Sequence, residues 1–365
     1  MPAFSGTLNP NEIYTSLRNM IISQEVYADN VAGTYGDLCD KSRVDGSLYG
    51  DQKLFYATDV LHSHAWLGDA EAANLLAIHR APDPEVQAIE LNVFRQIDLT
   101  VDDYLSKRAW MNEGSFQNFN SVMLGWLEDT KRVYDSTTFN VYVGTAKSSA
   151  NINTITVTPT AGTDTSSADL EGKNRLEAEA IAEALANLFV DLKDVNRSFN
   201  DYDFIRSYKM DDIIVVWNSK HLNKIKYIDL PTIFHKENLV PKFEEEVLPA
   251  KYFGDVIAAA HTVAVGEDYR AVEETEIVVS GVTYKLFAGE QFPVGASLTA
   301  GMAYQPNDKI ICKVMHRRSV PFMSAFRVGT SFFNGKSLTT NHYLTWGHNT
   351  LEYLPNYPFI EVKMN

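Results

Sequence analysis

The chain has 365 residues, a formal net charge of −15 at pH 7 and 45% hydrophobic residues, a composition typical of a folded globular protein. Its acidic excess argues against a protein that reads nucleic-acid sequence or binds an anionic membrane, because both functions need clustered Lys and Arg. The length is enough for roughly two or three domains.

Apolar residues have helical spacing at 13–21, which predicts one short helix in the N-terminal arm. The strongest secondary-structure signal lies in residues 89–101. Apolar and polar residues alternate almost strictly over 89–101, which predicts a strand of roughly 40 Å with one buried face. Residues 52–61 are rich in strand formers and are the predicted partner. We interpret the pair as a long two-stranded arm that lies on a neighbouring subunit, since an isolated hairpin is marginally stable in water.

The middle of the chain alternates predicted helices and strands. Apolar residues recur every three or four positions in 115–137, after an N-cap at Ser115, and again in 170–195, so both segments are predicted to be helices. Strands are predicted at 139–143, 152–158 and 213–217, and a basic helix at 219–227.

The C-terminal third is predicted to consist mainly of strands. Val, Thr, Gly and Tyr dominate residues 260–305, which we interpret as a β-rich insertion. Asn334-Gly335 predicts a two-residue hairpin turn. Residues 359–364 are predicted to form a final strand.

No membrane-spanning or secretory segment is predicted. Residues 1–10 lack a basic stretch followed by an apolar run, so we expect no signal peptide. No segment approaches the roughly 18 apolar residues of a membrane helix. Cys39 and Cys312 are too few for a disulfide framework and are interpreted as buried thiols of a cytoplasmic protein.

Motifs for catalysis or metal binding are weak. Five residues separate Gly329 from Gly335, whereas a phosphate-binding loop needs four, so a hairpin explains this segment better. His62 and His64 would share one face of a strand, and with Asp59 or Asp69 they could bind a metal. No further pair supports such a site, and we favour exposed or interface histidines.

Charged and aromatic clusters favour surface roles. The run Glu244-Glu245-Glu246 is interpreted as a solvated helix face. Arg317 and Arg318, with Lys313 and His316 nearby, form the densest basic cluster. This cluster fits the acidic surface of a neighbour, nearby DNA or plain solvent. Three tryptophans are interpreted as core or interface anchors: Trp66, Trp110 and Trp126.

Three segments, taken in their order and spacing, resemble a known family. They are residues 93–138, with Arg95-Gln96-Ile97-Asp98-Leu99 before the helix; residues 206–238, beginning Arg206-Ser207-Tyr208-Lys209-Met210-Asp211-Asp212; and residues 307–359, from Asn307-Asp308-Lys309-Ile310 through Trp346. The chain resembles the major capsid proteins of tailed bacteriophages with the Hong Kong 97-type fold. Within them it is most similar to those of small short-tailed podoviruses of the phi twenty-nine kind.

The resemblance implies an α+β Hong Kong 97-type capsid fold. Its parts would be an N-terminal arm at 1–48, an extended β-hairpin loop at 49–100 and a peripheral domain with a long spine helix at 101–199. An axial domain at 200–320, with the β-rich insertion at about 260–305, would precede strands at 321–365 that return to the peripheral domain. The sequence carries no N-terminal scaffolding extension of the family's kind, so the resemblance implies a separate scaffolding protein.

The resemblance also implies the function and the partners. The chain would assemble with itself, as pentamers and hexamers, into the icosahedral shell around the double-stranded DNA of a tailed phage. It would assemble with a scaffolding protein and a portal protein in the bacterial host cytoplasm. It would not bind DNA by sequence, associate with a membrane, hold a cofactor or act as an enzyme. Expected contacts between subunits are Phe55, Trp66, Leu75, Leu76, Phe94, Arg95, Arg317 and Arg318.

Two other functions stay open from the sequence. One is an encapsulin-like shell protein of the same fold that encloses protein cargo. The other is a soluble enzyme with an unrecognised site, because catalytic sites can be assembled from dispersed residues.

Overall fold

The structure, a computed structural model, describes residues 37–45, 52–63, 65, 78, 80, 82–102, 113–147, 154–159, 170–222 and 244–365. The predicted N-terminal helix at 13–21 and most of the predicted basic helix at 219–227 lie outside these residues.

The described elements follow in this order: α1 (Asp37–Lys41), β1 (Arg43–Asp45), β2 (Gln52–Ala57), β3 (Glu85–Asp102), α2 (Glu113–Thr145), β4 (Ile155–Val157), α3 (Leu170–Lys193), β5 (Ile213–Asn218), β6 (Glu244–Leu248), β7 (Gly254–Val256), β8 (His261–Thr262), β9 (Arg270–Ala271), β10 (Thr275–Val279), β11 (Val282–Leu286), β12 (Ser297–Leu298), β13 (Ala303–Pro306), β14 (Ile310–His316), β15 (Phe322–Asn334), β16 (Thr339–Asn349) and β17 (Phe359–Met364). Short 3-10 turns occupy Met210–Asp212 and Ala250–Tyr252.

A five-stranded body sheet holds the centre of the molecule, in the order β4-β17-β14-β5-β6. Its strands β5 and β14 are buried along their whole length, because both faces of the sheet are covered. The apolar stripe of α3 packs with one face, and the C-terminal end of α2 packs with the other. The predicted helix at 170–195, the buried strand at 213–217 and the final strand at 359–364 are therefore confirmed.

A second five-stranded sheet, which we call the arm sheet, has the order β1-β15-β16-β3-β2. The predicted long strand is confirmed as β3, but most of it does not belong to a two-stranded arm. It pairs with β2 over residues 85–90 alone and with β16 over residues 91–102. The sequence signal missed β16 because period-two alternation marks a strand but not its partner.

The helix α2 continues through the segment that was predicted to be a strand. The prediction of a strand at 139–143 is wrong, since α2 extends to Thr145. Phe139, Val141 and Val143 are fully buried, and so is Asn140 between them. Apart from the half-buried Tyr142, the end of α2 is buried and has little polar face, so its residues lack the helical period and are typical of a strand.

The acidic run also differs from its prediction. Residues Glu244–Leu248 form the edge strand β6, parallel to β5, and not a solvated helix face. The alternation of the strand turns Glu244 and Glu246 inward, where both contact Lys41. Only Glu245 of the three points to solvent.

Small strands fill the region between β7 and β13, as the β-rich character of 260–305 predicts. They form three sheets, β7-β13-β9, β8-β12 and β10-β11, around a separate small core with Phe292 and Leu298 at its centre. The strands β15 and β16 form the hairpin predicted at Asn334-Gly335. Asn334 pairs with Thr339, so its loop has the four residues 335–338 and not two.

Two glycines of α2 should respond oppositely to alanine. A Cβ on Gly144 would lie 2.1 Å from the carbonyl oxygen of Tyr252, whereas one on Gly125 would have no neighbour within 4 Å. We expect Gly125→Ala to stabilise the fold by about 0.5–1 kcal/mol through helix propensity. We expect Gly144→Ala to destabilise it by about 1–3 kcal/mol through overpacking. Urea unfolding monitored by circular dichroism measures both, and stabilisation by both would contradict the packing of α2.

The buried Lys313 ties α2 to the body sheet. Its side chain is fully buried, contacts the Glu361 carboxylate and donates a hydrogen bond of 2.9 Å to the carbonyl of Ala146, just after α2. Burial lowers the pKa of Lys313, and the charge of Glu361 opposes that shift.

Removing one partner of this pair should cost more than removing both. Lys313→Met leaves the Glu361 carboxylate buried without its main partner, so we expect a loss of about 3–5 kcal/mol. In Lys313→Met/Glu361→Met no buried charge remains, so most of that loss should be recovered. Urea unfolding of the two variants makes the comparison, and a double variant less stable than the single one would refute this account.

Candidate interaction surfaces

The outward face of β3 carries a row of polar side chains. Gln96 donates a hydrogen bond of 2.9 Å to Thr345, and Thr100 donates one of 2.8 Å to Asn341, both across to β16. Phe94 interrupts this row and remains 38% exposed, with its ring over Gly347. The face is therefore polar, with one partly exposed aromatic side chain.

The distal part of the β15–β16 hairpin is exposed on both faces. Every residue from 327 to 333 is exposed, and Phe332 and Phe333 keep 66% and 55% of their surface accessible. Neighbouring residues of a strand point to opposite faces, so these two rings lie on the two sides of the hairpin. Large apolar side chains exposed in this way mark an interaction surface.

The segment after β2 is fastened to the loop that follows α3. Asp59 accepts hydrogen bonds from the backbone N–H of Ile205 at 2.9 Å and from Arg197 at 3.0 Å. These bonds, with the Ile205 N–H as the largest contribution, lower the pKa of Asp59. Arg206 donates to the carbonyl of Thr58 at 2.6 Å. The position of the chain where it leaves β2 is thereby fixed.

A polar cluster joins the arm sheet to α2. His348 Nδ1 contacts the carbonyl of Asn349 at 2.8 Å and so carries the proton, which leaves Nε2 to accept a 2.8 Å hydrogen bond from the Tyr134 hydroxyl. Arg95 donates to the same hydroxyl at 3.2 Å and lies 3.9 Å from Glu274. Burial raises the pKa of Tyr134 and lowers that of His348. Arg95 thus has partners within its own chain.

A cavity of about 810 Å³ opens beside this cluster. Its wall contains charged groups of both signs, and two of them, Glu361 and Lys363, pair with each other at 3.5 Å. Within the described part of the chain, no three His, Cys, Asp or Glu side chains are grouped to hold a metal ion. The wall is therefore a polar surface of mixed charge.

The predicted basic cluster is wrong as a surface of four residues. Lys313 and His316 are buried, and Arg317 and Arg318 alone are exposed. Lys313 lies in the strand β14, which is buried along its whole length. The number of basic residues in a short segment does not reveal that one of them is buried. Arg317 contacts Glu244 at 2.8 Å.

His316 is neutral at pH 7. Its ring stacks on Tyr357 at 4.5 Å between centroids, and its Nδ1 accepts a hydrogen bond of 3.0 Å from the backbone of Arg318. Burial lowers the pKa of His316 to about 4. Its ring therefore adds no charge to the surface formed by Arg317 and Arg318.

The remaining residues singled out from the sequence differ in their burial. Phe55 is half-buried against Ile89 and Leu91 within its own chain. Trp126 is exposed on α2. Cys39 and Cys312 are buried thiols, as predicted, and burial raises the pKa of both. The following predicted residues lie outside the described residues: His64, Trp66, Asp69, Leu75, Leu76 and Trp110.

Sequence reasoning missed the two surfaces with the clearest geometry. The Asp59 contacts join positions far apart in sequence, so no local signal could reveal them. The Phe332-Phe333 pair next to the predicted turn was a usable signal, because residues beside a hairpin turn have few neighbours to bury them.

Comparison with known proteins identifies the family. The family model described as Phi29-like phage major capsid protein matches residues 7–360. No curated protein sequence matches the chain. No described helix is long and apolar enough to cross a membrane.

Solved structures share the fold. The capsid structure of Staphylococcus phage Andhra matches with a TM-score of 0.59 and 10% identity, over 100% of this chain and 88% of that one. A chain from the head fibre and inner core structure of native bacteriophage P68 matches at 0.57 and 10%, over 100% and 88%. The capsid of Cyanophage P-SCSP1u matches at 0.50 and 11%, over 94% and 91%.

These matches confirm the predicted α+β Hong Kong 97-type fold. At such low identities they show the fold alone, and it is the family model that shows the kinship. Since that model covers nearly the whole sequence, the chain belongs to the Phi29-like phage major capsid protein family.

Proposed function

We propose that this major capsid protein builds an icosahedral shell of pentamers and hexamers around double-stranded phage DNA. A separate scaffolding protein guides its assembly in the bacterial cytoplasm, and a portal protein occupies one vertex. The chain acts as a structural subunit without enzymatic activity. Family membership favours this role over an encapsulin-like shell for protein cargo and over a soluble enzyme.

The arm sheet is the observation that carries the proposal. The body sheet is covered on both faces, whereas the β15–β16 hairpin exposes Phe332 and Phe333 on opposite sides. Exposed strand edges and apolar patches promote association. A shell subunit gains by leaving such surfaces open, because each is covered by a neighbouring copy and many weak contacts add up over a closed lattice.

The net charge of −15 supports DNA enclosure without DNA recognition. Phosphate binding needs clustered cations, and the predicted basic cluster contains only two exposed arginines, one of them paired with Glu244. An acidic wall weakens adhesion of DNA as it is packaged. The exposed Arg317 and Arg318 are proposed to contact acidic surfaces of neighbouring subunits.

The parts of the fold are proposed to divide this work. Residues 49–100 form the extended loop that reaches a neighbour, 101–199 the peripheral domain, and 200–320 the axial domain. Residues 321–365 return to the peripheral domain, and 1–48 form the N-terminal arm. The contacts of Asp59 support a fixed base for the extended loop. Phe55, Trp66, Leu75, Leu76, Phe94 and Arg95 are its proposed contact residues.

Replacing residues 61–82 with a short Gly-Ser linker tests the proposal. The replacement keeps Asp59 and the β2–β3 pair, so we expect a folded protein whose melting temperature stays within a few degrees of the full-length chain. We expect no closed shells from it, because the loop no longer reaches a neighbour. Negative-stain microscopy with the scaffolding protein of the same phage is the measurement.

The full-length chain is the control and should form closed shells in the same preparation. Small discrete particles alone from the full-length chain would contradict the shell function. Normal shells from the linker variant would contradict the role of the loop. Protein cargo in place of nuclease-resistant DNA inside native particles would contradict genome enclosure.

A further inference from the structure

Among the described residues, the outer edge of β15 is open along most of its length. On one side β15 pairs with β16 from Ser324 to Asn334. On the other side β1 pairs only with Phe322, Met323 and Ser324. Within the part of the chain that the structure describes, residues 328–334 have no strand on that side. The N–H and C=O groups that these residues direct to that side form a template for one more strand.

The side chains along this open edge divide by size. The small Gly329 and Thr330 precede Ser331, and the bulkier Phe332 and Phe333 follow it. An antiparallel copy of the same segment, centred on Ser331, would set each phenylalanine opposite a smaller residue, and Val328 opposite an asparagine of similar size. Phe333 would cover Gly329 of the other copy, and Phe332 would lie opposite its Thr330.

Gly329 fits this arrangement particularly well. A Cβ at this position would meet no atom of the described residues within 4 Å, so none of these residues requires a glycine there. Glycine weakens a strand interior and often marks a close approach by another group. Aromatic side chains placed across from such glycines recover the lost packing.

We propose that two copies of this chain join their β15 edges antiparallel about Ser331, across a two-fold axis, and so extend the arm sheet from one subunit into the next. The proposal rests on the proposed function and names one contact of the shell. A second copy is the occupant that the segment itself specifies, because the sequence complements itself in size. No charged residue occurs in 328–334, so no like charges oppose across the axis.

Two-fold symmetry agrees with this geometry. Directly opposed residues of an antiparallel pair share a face of the sheet. A two-fold axis normal to the sheet must therefore pass between a residue and its own copy. Ser331, at the middle of the open segment, is that residue. Such an isologous contact is the commonest way in which identical subunits associate.

A disulfide at the axis tests the pairing. Opposed Cα atoms in an antiparallel pair lie about 4.5–5.5 Å apart, within the range that a disulfide spans. We expect Ser331→Cys shells to yield covalent dimers on a denaturing gel without reductant after mild oxidation. The natural thiols, Cys39 and Cys312, are buried and should give no background.

Lys336→Cys is the matched control. Lys336 is exposed in the loop of the same hairpin, but the proposed register would separate its two copies by about 34 Å along the strands. We expect no dimers from it. Dimers of equal yield from both variants would mean random collision and would overturn the proposal.

A residue swap tests the opposition of Gly329 and Phe333. In the Ser331→Cys background, Phe333→Gly alone should lower the dimer yield by about fivefold or more, because the aromatic contact is lost twice in each interface. Gly329→Phe alone should lower it by crowding two rings. The double variant restores one glycine opposite one phenylalanine, so its yield should recover.

The outcomes separate this inference from the proposed function. Shells that form normally with Ser331→Cys but contain no covalent dimers would overturn the β15 pairing and leave the shell function standing. A cross-link to a protein of another mass would also overturn it. Failure of the unmodified chain to form any shell would refute the proposed function, and the pairing with it.

Discussion

The burial of the C-terminal end of α2 is the constraint on which the rest of the structure depends. Phe139, Val141 and Val143 have no exposed surface and pack with residues of the body sheet and of the strand β15. Farther back along the helix, Leu127 and Tyr134 pack with Leu344 and Trp346 of the arm sheet. The helix α2 thus packs against both sheets and fixes their relative position.

The segment just before β7 and the C-terminal strand are tied to the same helix end. Gly144 allows the backbone at Tyr252, just before β7, to approach the helix. Lys313 bonds the carbonyl after the helix and contacts Glu361 of β17. Because these contacts converge at one place, the body is held together independently of the distal part of the arm sheet, where residues 327–333 are exposed. A buried body with an exposed distal arm sheet suits a subunit whose exposed surfaces are covered by other copies.

Elements whose hydrophobic period is visible within a short segment were predicted correctly, whereas features that depend on burial or on distant residues were not. The strand β3, the helix α3 and the buried strand β5 carried clear periodicity and were predicted correctly. The end of α2 was predicted as a strand because its nearly complete burial removed the helical period. Glu244 and Glu246 were predicted on a solvated helix, since their partner Lys41 lies 205 residues from Glu246 in the chain. The fold class was predicted from the order and spacing of three segments that resemble a known family. The match to the family model supports that resemblance.

Hydrogen exchange of the free subunit and of the assembled shell tests the central claim most directly, namely that the body is complete alone and the arm sheet is completed by neighbours. The account predicts that amides of β14 (Ile310–His316) are protected equally in both states. Those amides of 328–334 that point to the open edge, away from β16, should exchange quickly in the free subunit and slow markedly in the shell. Equal exchange of 328–334 in both states would contradict the account.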